Sequence, residues 1–330
     1  MSDNKDDLLM KNGAGRVWVL TDGKIGDDVQ CLAVAEALAP DFDKRVITPR
    51  APWVWMAPWG PIDPRDAPSN PDSPIAKGPG NGWPNLVVAS GRRAIPYARA
   101  VKKVSNGKCF VVIMKDPRVS PSSVDLIWAP VHDKLTGANV VTTLTSPHGL
   151  ARPIADARDT PTGPISELAK PMLGVVLGGP SGGARFDDVI ADDLIAKIRH
   201  AKGNFASLAL TPSRRTPDAF LKTLKNALTA TDTFIWDRSG DNPYVDILAH
   251  SDALIVTADS HNMMSEAVST GAGVYAFRPP GLAKKMAWFV DALESKGAVR
   301  NLEKCDVEPI RTTPIDATDE IVEAIKQLLS

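Results

Sequence analysis

The sequence predicts an α/β protein made of two successive open domains, each with a doubly wound parallel sheet. Short runs of β-branched residues and leucine alternate with longer stretches at helical spacing along most of the chain. Glycine- or hydroxyl-rich turns follow several of the apolar runs, the position at which an open parallel sheet binds ligands. A stretch rich in Pro, Thr, Asp and Gly, residues 145–164, divides the chain into halves of similar texture.

In the first half, residues 16–20 form an apolar run, and the glycine turn from Thr21 to Gly26 leads into a helix over 27–38. Residues 49–84 break the pattern with Pro49, Pro52, Trp53, Trp55, Pro58, Trp59, Pro61 and Pro64, then a Gly/Pro/Asn/Asp run to Pro84. Such a composition sustains neither a long helix nor a central strand. The Trp53–Trp59 segment is too apolar for plain linker. We expect it to pack on the chain's own core, with a weak membrane or protein contact as the alternative, and the rest of the insert to be a mobile loop. Strands follow at 85–90, 108–114, 124–129 and 139–144, and residues 91–96 turn into a helix that runs through Lys103.

The second half repeats the alternation. Strands are expected at 172–177, 205–210, 233–236, 253–257 and 273–277. Helices are expected at 187–200, 217–228, 244–249, 260–270, 282–295 and 316–329. Asp187 and Asp188 suit the positive end of their helix, and Pro217 fits a first helical turn.

Bulk properties narrow the function classes. The chain has 330 residues, enough for about two domains at roughly 100–200 residues each. Its 38 Lys and Arg balance 39 Asp and Glu, which argues against a broad nucleic-acid surface but allows a local basic pocket. Cys31, Cys109 and Cys305 form no CxxC pair and no zinc spacing, so free thiols in a reducing compartment are expected, with neither metal nor cofactor. There is no apolar stretch of transmembrane length, and residues 1–14 read as a polar, disordered lead-in rather than a signal peptide. A cytoplasmic location is the expectation.

The polar turns hold the candidate chemistry. Gly178, Gly179, Pro180, Ser181, Gly182 and Gly183 lie between strand and helix, where backbone N–H groups approach an anion. The run lacks the Lys-Ser/Thr of a P-loop, and a plain tight turn is the alternative. Ser213, Arg214 and Arg215 set a hydroxyl beside two forked cations suited to phosphate, against the alternative of a solvated turn. Asp259 and Ser260 can cap the next helix, which carries Met263 and Glu266; Glu266 is a candidate ribose ligand or a solvent-facing side chain. On the first half, Asp22, Gly23, Gly26, Arg92 and Arg118 lie in the corresponding turns, and Asp27, Asp28 and His132 are candidate bases; His261 of the second half is a further candidate, with a surface histidine as the alternative.

These residues together resemble one family. The clusters are Val17 to Gly26 with Gln30; Ser90 to Arg93; Asp116 to Arg118; Pro130 to Asp133 with Asn139 and Val140; Gly178 to Ser181; Ser213 to Pro217; and Asp259 to Met263 with Glu266. In this order they resemble the plant "elongated mitochondria" fission-factor family and its bacterial members, which include predicted nucleoside-diphosphate-sugar epimerases. The resemblance runs from about Val17 to Glu303. It departs at the insert from Pro61 to Pro84 and at His261.

The resemblance implies a glycosyltransferase B fold, two Rossmann-like domains facing across a cleft. It implies an acceptor-side domain at 15–160, a nucleotide-binding domain at 165–312, and a final segment, 313–330, whose helix returns to the first domain. The second domain is similar to the nucleotide-sugar half of the peptidoglycan N-acetylglucosaminyltransferase. That similarity implies a nucleotide-sugar ligand for Gly179, Ser181, Gly182, Gly183, Ser213, Arg214, Arg215, Asp259, Ser260, Met263 and Glu266. Sugar transfer follows from it; sugar epimerisation is the alternative, as is a non-catalytic adaptor like the plant members, which recruit a dynamin-like protein.

Overall fold

A computed structural model describes residues 17–39, 41–78 and 82–329; the lead-in expected at 1–14 lies outside them. The chain divides into two compact units, Met1–Gly149 with Ala317–Ser330, and Leu150–Asp316.

The first unit is a six-stranded sheet of β1 (Val17–Thr21), β2 (Phe42–Val46), β3 (Leu86–Ser90), β4 (Phe110–Met114), β5 (Leu126–Pro130) and β6 (Val140–Thr143). All pairings are parallel, in the order β2-β1-β3-β4-β5-β6. β1, β3 and β5 are buried along their whole length, as parallel strands covered on both faces must be. β2, with the sequence Phe-Asp-Lys-Arg-Val, is an edge strand that the apolar-run criterion does not detect. One face is covered by the helix Ile25–Leu38, through Cys31, Val34 and Ala35, and by the final helix Ala317–Leu329, through Ala317, Ile321 and Ile325. The helix Ala94–Val104 covers the other face through Tyr97, Ala98 and Val101. Burial pushes the Cys31 thiol well above its ordinary range and Cys109 up to about 12, so both behave as core groups.

The insert departs from the expectation of a mobile loop. Ile75 is fully buried in the core beneath the Trp18 face of the sheet. The buried Asp63 carboxylate accepts from Arg50 Nε at 2.8 Å and from the Arg65 N–H at 3.0 Å, and Tyr97 Oη donates to Asp66 at 2.5 Å. Arg45 reaches the Pro74 and Ala76 carbonyls while its guanidinium lies 3.4 Å over the Trp18 ring. These anchors do not depend on regular secondary structure, so composition alone does not reveal them. The Trp segment differs in the opposite sense. Its helix, Trp53–Met56, has only four residues, and the burial falls on Ala57 and Pro58, leaving Trp55 71% and Trp59 65% exposed.

The second unit contains β7 (Met172–Leu177), β8 (Ser207–Pro212), β9 (Thr233–Ile235), β10 (Ala253–Thr257), β11 (Gly273–Phe277) and β12 (Val299–Asn301). They form a parallel sheet in the order β12-β11-β10-β7-β8-β9. Asp187 caps the helix Asp188–Lys202 by accepting from the Ile190 N–H, and Ile190, Leu194, Ile195 and Ile198 turn inward. The unit begins at Leu150, inside the 145–164 stretch at which the sequence divides the chain and ahead of the start at 165 that the resemblance implies for the second domain. The reason is a helix, Ala151–Asp159, in the Pro/Thr-rich stretch; its proline stands in the first turn, where no intrahelical N–H is required. It is held to this unit by Arg158, which donates to the Ala249 and Thr270 carbonyls at 3.0 and 2.8 Å. No helix among the described residues is long and apolar enough to cross a membrane.

Candidate functional site

In each sheet the direction of strand addition reverses once, between β1 and β3 and between β7 and β10. Open α/β sheets bind ligands beyond the carboxyl ends of strands at such points. Register aligns Leu177 with Pro212 and Thr257 with Phe277, so the turns beginning at Gly178, Ser213 and Ala258 emerge along one edge.

At that edge Asp259 is a central anchor. Its side chain is fully buried, and Oδ2 accepts from the Gly179 N–H at 3.0 Å and from Arg215 Nη2 at 2.9 Å. Thr257 Oγ1 donates to Oδ1 at 2.8 Å and itself accepts the Gly178 N–H at 2.7 Å. Arg215 Nη1 also reaches the Gly179 and Pro180 carbonyls. Asp259 and Arg215 therefore hold the start of the glycine loop in shape. A side chain at Gly178 would run into the Asp259 carboxylate, and one at Gly179 into the Arg215 backbone.

Beyond this anchor, Ser181, Gly182 and Gly183 are exposed. Gly182 and Gly183 have φ of 58° and 101°, a left-handed conformation that glycine adopts without strain. Arg214, in the turn after β8, is exposed, and its guanidinium has no hydrogen-bond or ion-pair partner among the described residues. Ser213 Oγ lies 3.2 Å from Thr216 Oγ1 and accepts the Arg215 N–H at 3.2 Å. Arg238, on the next strand's exit, donates to the Ser213 carbonyl at 3.1 Å and to that of Thr216, and pairs with Asp218. Arg238 is 25 residues from Ser213, and no local motif announces it.

The helix His261–Val268 is capped by Ser260, whose Oγ accepts the Met263 N–H at 3.4 Å. Glu266 lies in its second turn, partly exposed, and accepts from Tyr244 Oη at 2.5 Å on Oε2. Burial, reinforced by this carboxylate, pushes the Tyr244 phenol well above its ordinary range, so Tyr244 remains a donor. Sequence reasoning did not select Tyr244. His261 stacks on Phe289 with centroids 3.8 Å apart.

In the first unit, Thr21, Ser90 and Met114 are in register. The turns that follow enclose a pocket of about 500 Å³ whose lining includes Lys24, Asp27, Ser90, Arg92, Lys115 and Arg118. The Asp27 carboxylate is 2.6 Å from Lys115 Nζ. Asp28 pairs with Lys44 of β2 at 2.6 Å and does not line the pocket. The His132 side chain is 8% exposed and lies 3.5 Å from Asp133; Asp133 lines the pocket and His132 does not. Asp22 pairs with Lys24 at 3.1 Å and fills the space over Gly91, whose φ is 90°. Gly23 has φ of 82°, whereas a side chain at Gly26 would meet open space. No cluster of three or more metal-ligating side chains occurs among the described residues.

The "Mitochondrial fission ELM1" family model matches residues 25–329. The mitochondrial fission protein ELM1 of Arabidopsis thaliana is 28% identical over 243 residues, covering 66% of this chain and 57% of that protein. The chain thus spans little more than half the length of that relative. An uncharacterized protein of Rickettsia prowazekii is 28% identical over 282 residues, covering 74% of this chain and 79% of its own.

Among solved structures, the UDP-GlcNAc 2-epimerase of Neisseria meningitidis bound to UDP-GlcNAc aligns with a TM-score of 0.53 at 13% identity, covering 95% of this chain and 91% of that one. The UDP-GlcNAc 2-epimerase of Methanocaldococcus jannaschii aligns at 0.50 and 11%, covering 96% and 93%. At such identities the likeness is one of fold, the glycosyltransferase B type. With two parallel sheets of that type and a family match that runs almost from end to end, the chain belongs to the mitochondrial fission ELM1 family.

Proposed function

We propose that the second unit binds a nucleotide-sugar along the turns after β7, β8 and β10, and that the protein transfers the sugar to an acceptor. The observation that carries the reading is the exposed Ser181–Gly183 backbone, braced by buried Asp259, with the Arg214 guanidinium, which has no partner among the described residues, in the neighbouring turn. Backbone N–H groups and a forked cation are the donors a diphosphate needs. Glu266 offers the ribose diol its Oε1 while Tyr244 holds Oε2. Ser213, Ser260 and Met263 border the same turns, and Asp259 and Arg215 position the loop without meeting the ligand. Asp27 is the preferred acceptor base over Asp28 and His132, because of these three it alone lines the pocket formed by the turns after β1, β3 and β4. The epimerase neighbours supply the alternative of sugar epimerisation. A non-catalytic adaptor is favoured by one observation, the exposed Trp55 and Trp59. Three unbridged thiols suit a cytoplasmic setting.

A thermal-shift panel of nucleoside diphosphates and their sugars tests the reading. A ligand at 100 times its Kd adds about 2.7 kcal/mol of stability. A shift with at least one uridine or adenosine diphosphate compound is expected. No shift across the panel at millimolar ligand would remove the nucleotide-sugar reading and leave the adaptor.

A further inference from the structure

Two arginines that line one pocket of the first unit, Arg92 and Arg118, have no acidic partner among the described residues. Four cations, Lys24, Arg92, Lys115 and Arg118, stand among its lining residues with three carboxylates. Lys24 is paired with Asp22 and Lys115 with Asp27. The Asp116 carboxylate accepts the Arg118 backbone N–H at 2.8 Å, and Asp133 faces His132. What is left is Arg92, whose guanidinium makes one hydrogen bond, to the Val54 carbonyl at 3.2 Å, and Arg118, whose guanidinium has no partner among the described residues.

The backbone adds an independent sign. Lys115 and Arg118 both have positive φ, 82° and 56°, which is strained for residues with a side chain. The strained turn directly follows β4, and Gly91 at φ 90° opens the turn after β3. The pocket therefore lies beside the β1/β3 reversal, and its volume of about 500 Å³ falls in the range of small-molecule sites. Apolar walls from Ile95 and Met114 adjoin the charged rim.

We infer that this pocket binds the phosphate group of a small organic phosphate, with Arg92 and Arg118 as its forked donors. The binding stands on the pocket itself. Only its role as the acceptor's subsite rests on the transfer reading above, and in that role the acceptor is a phosphorylated compound whose hydroxyl comes within reach of Asp27.

Isothermal titration of phenyl phosphate into the full chain, with phosphatidylglycerol vesicles in parallel, tests the inference. Wild type should bind the soluble ester. The double variant Arg92→Gln, Arg118→Asn should bind it at least tenfold more weakly, with an unchanged unfolding midpoint because both side chains are exposed. The charge-retaining pair Arg92→Lys, Arg118→Lys should recover part of the loss, and Arg214→Gln in the second unit should stay within twofold of wild type. No binding by wild type, equal affinity in the double variant, dependence on Arg214, or binding to vesicles alone would each overturn it. UDP titrated into the same proteins separates the two readings. UDP binding without phenyl phosphate binding sinks only this inference, and the reverse sinks only the nucleotide site.

Discussion

Arg215 donates to the buried carboxylate of Asp259 at 2.9 Å, and the same carboxylate oxygen receives the N–H of Gly179. The pair joins the turn after β8, the turn after β10 and the glycine loop after β7. Adjacent arginines in one motif thus have separate tasks: Arg215 is engaged by the protein, and Arg214 is exposed without a partner among the described residues.

Asp259→Ala should cost about 2–4 kcal/mol of stability, since Gly179 N–H, Thr257 Oγ1 and Arg215 all lose their acceptor. Arg214→Gln should leave stability within about 0.5 kcal/mol and weaken UDP binding about tenfold. Denaturant unfolding and calorimetric titration of both variants check this. A destabilised Arg214→Gln, or a fully stable Asp259→Ala, would reverse the assignment.

Glu266→Gln should weaken UDP binding by about 1.5–3 kcal/mol, or roughly 10- to 150-fold, because a charged acceptor is lost from the ribose. Any turnover at saturating nucleotide should fall much less. Tyr244→Phe removes only the donor to Oε2, costing about 1 kcal/mol of stability and less affinity than Glu266→Gln. Equal UDP affinities for wild type and Glu266→Gln would end the ribose role.

Acid stability should depend on Asp63. Burial raises its pKa, but the Arg65 N–H and the Arg50 guanidinium outweigh that effect and hold the carboxyl below its ordinary 3.8. The stability this contributes is present above the unfolded pKa and is lost as pH falls through the lower folded value. Thermal midpoints from about pH 6 down to about pH 2 should fall less steeply for Asp63→Asn than for wild type. Parallel curves would show that Asp63 does not couple the insert to protonation.

The insert should divide energetically at its own surface. Ile75→Ala should cost about 2–4 kcal/mol, since the side chain is fully buried in the sheet's core. Trp55→Ser, at a position 71% exposed, should change stability by less than about 0.5 kcal/mol. Urea unfolding of the two variants checks the contrast, and a neutral Ile75→Ala would mean that the insert is not part of the core.

The two-sheet architecture is legible in the chain's residues alone. Central parallel strands such as Leu86–Ser90 and Met172–Leu177 must be apolar on both faces, so they appear as uninterrupted runs, and the turns after them carry the glycines and hydroxyls. The edge strands Phe42–Val46 and Val299–Asn301 escaped because one flank faces solvent and tolerates Asp, Lys, Arg and Asn. Which polar residue is spent on the protein and which is left over depends on the fold. Tyr244 meets Glu266 across 22 residues, Arg215 meets Asp259 across 44, and Lys115 reaches Asp27 across 88. Hydrogen bonding acts over a few ångströms of space, and chain order does not record that separation; pairing, burial and the identity of the unpaired arginines therefore emerge only once the strands are in register.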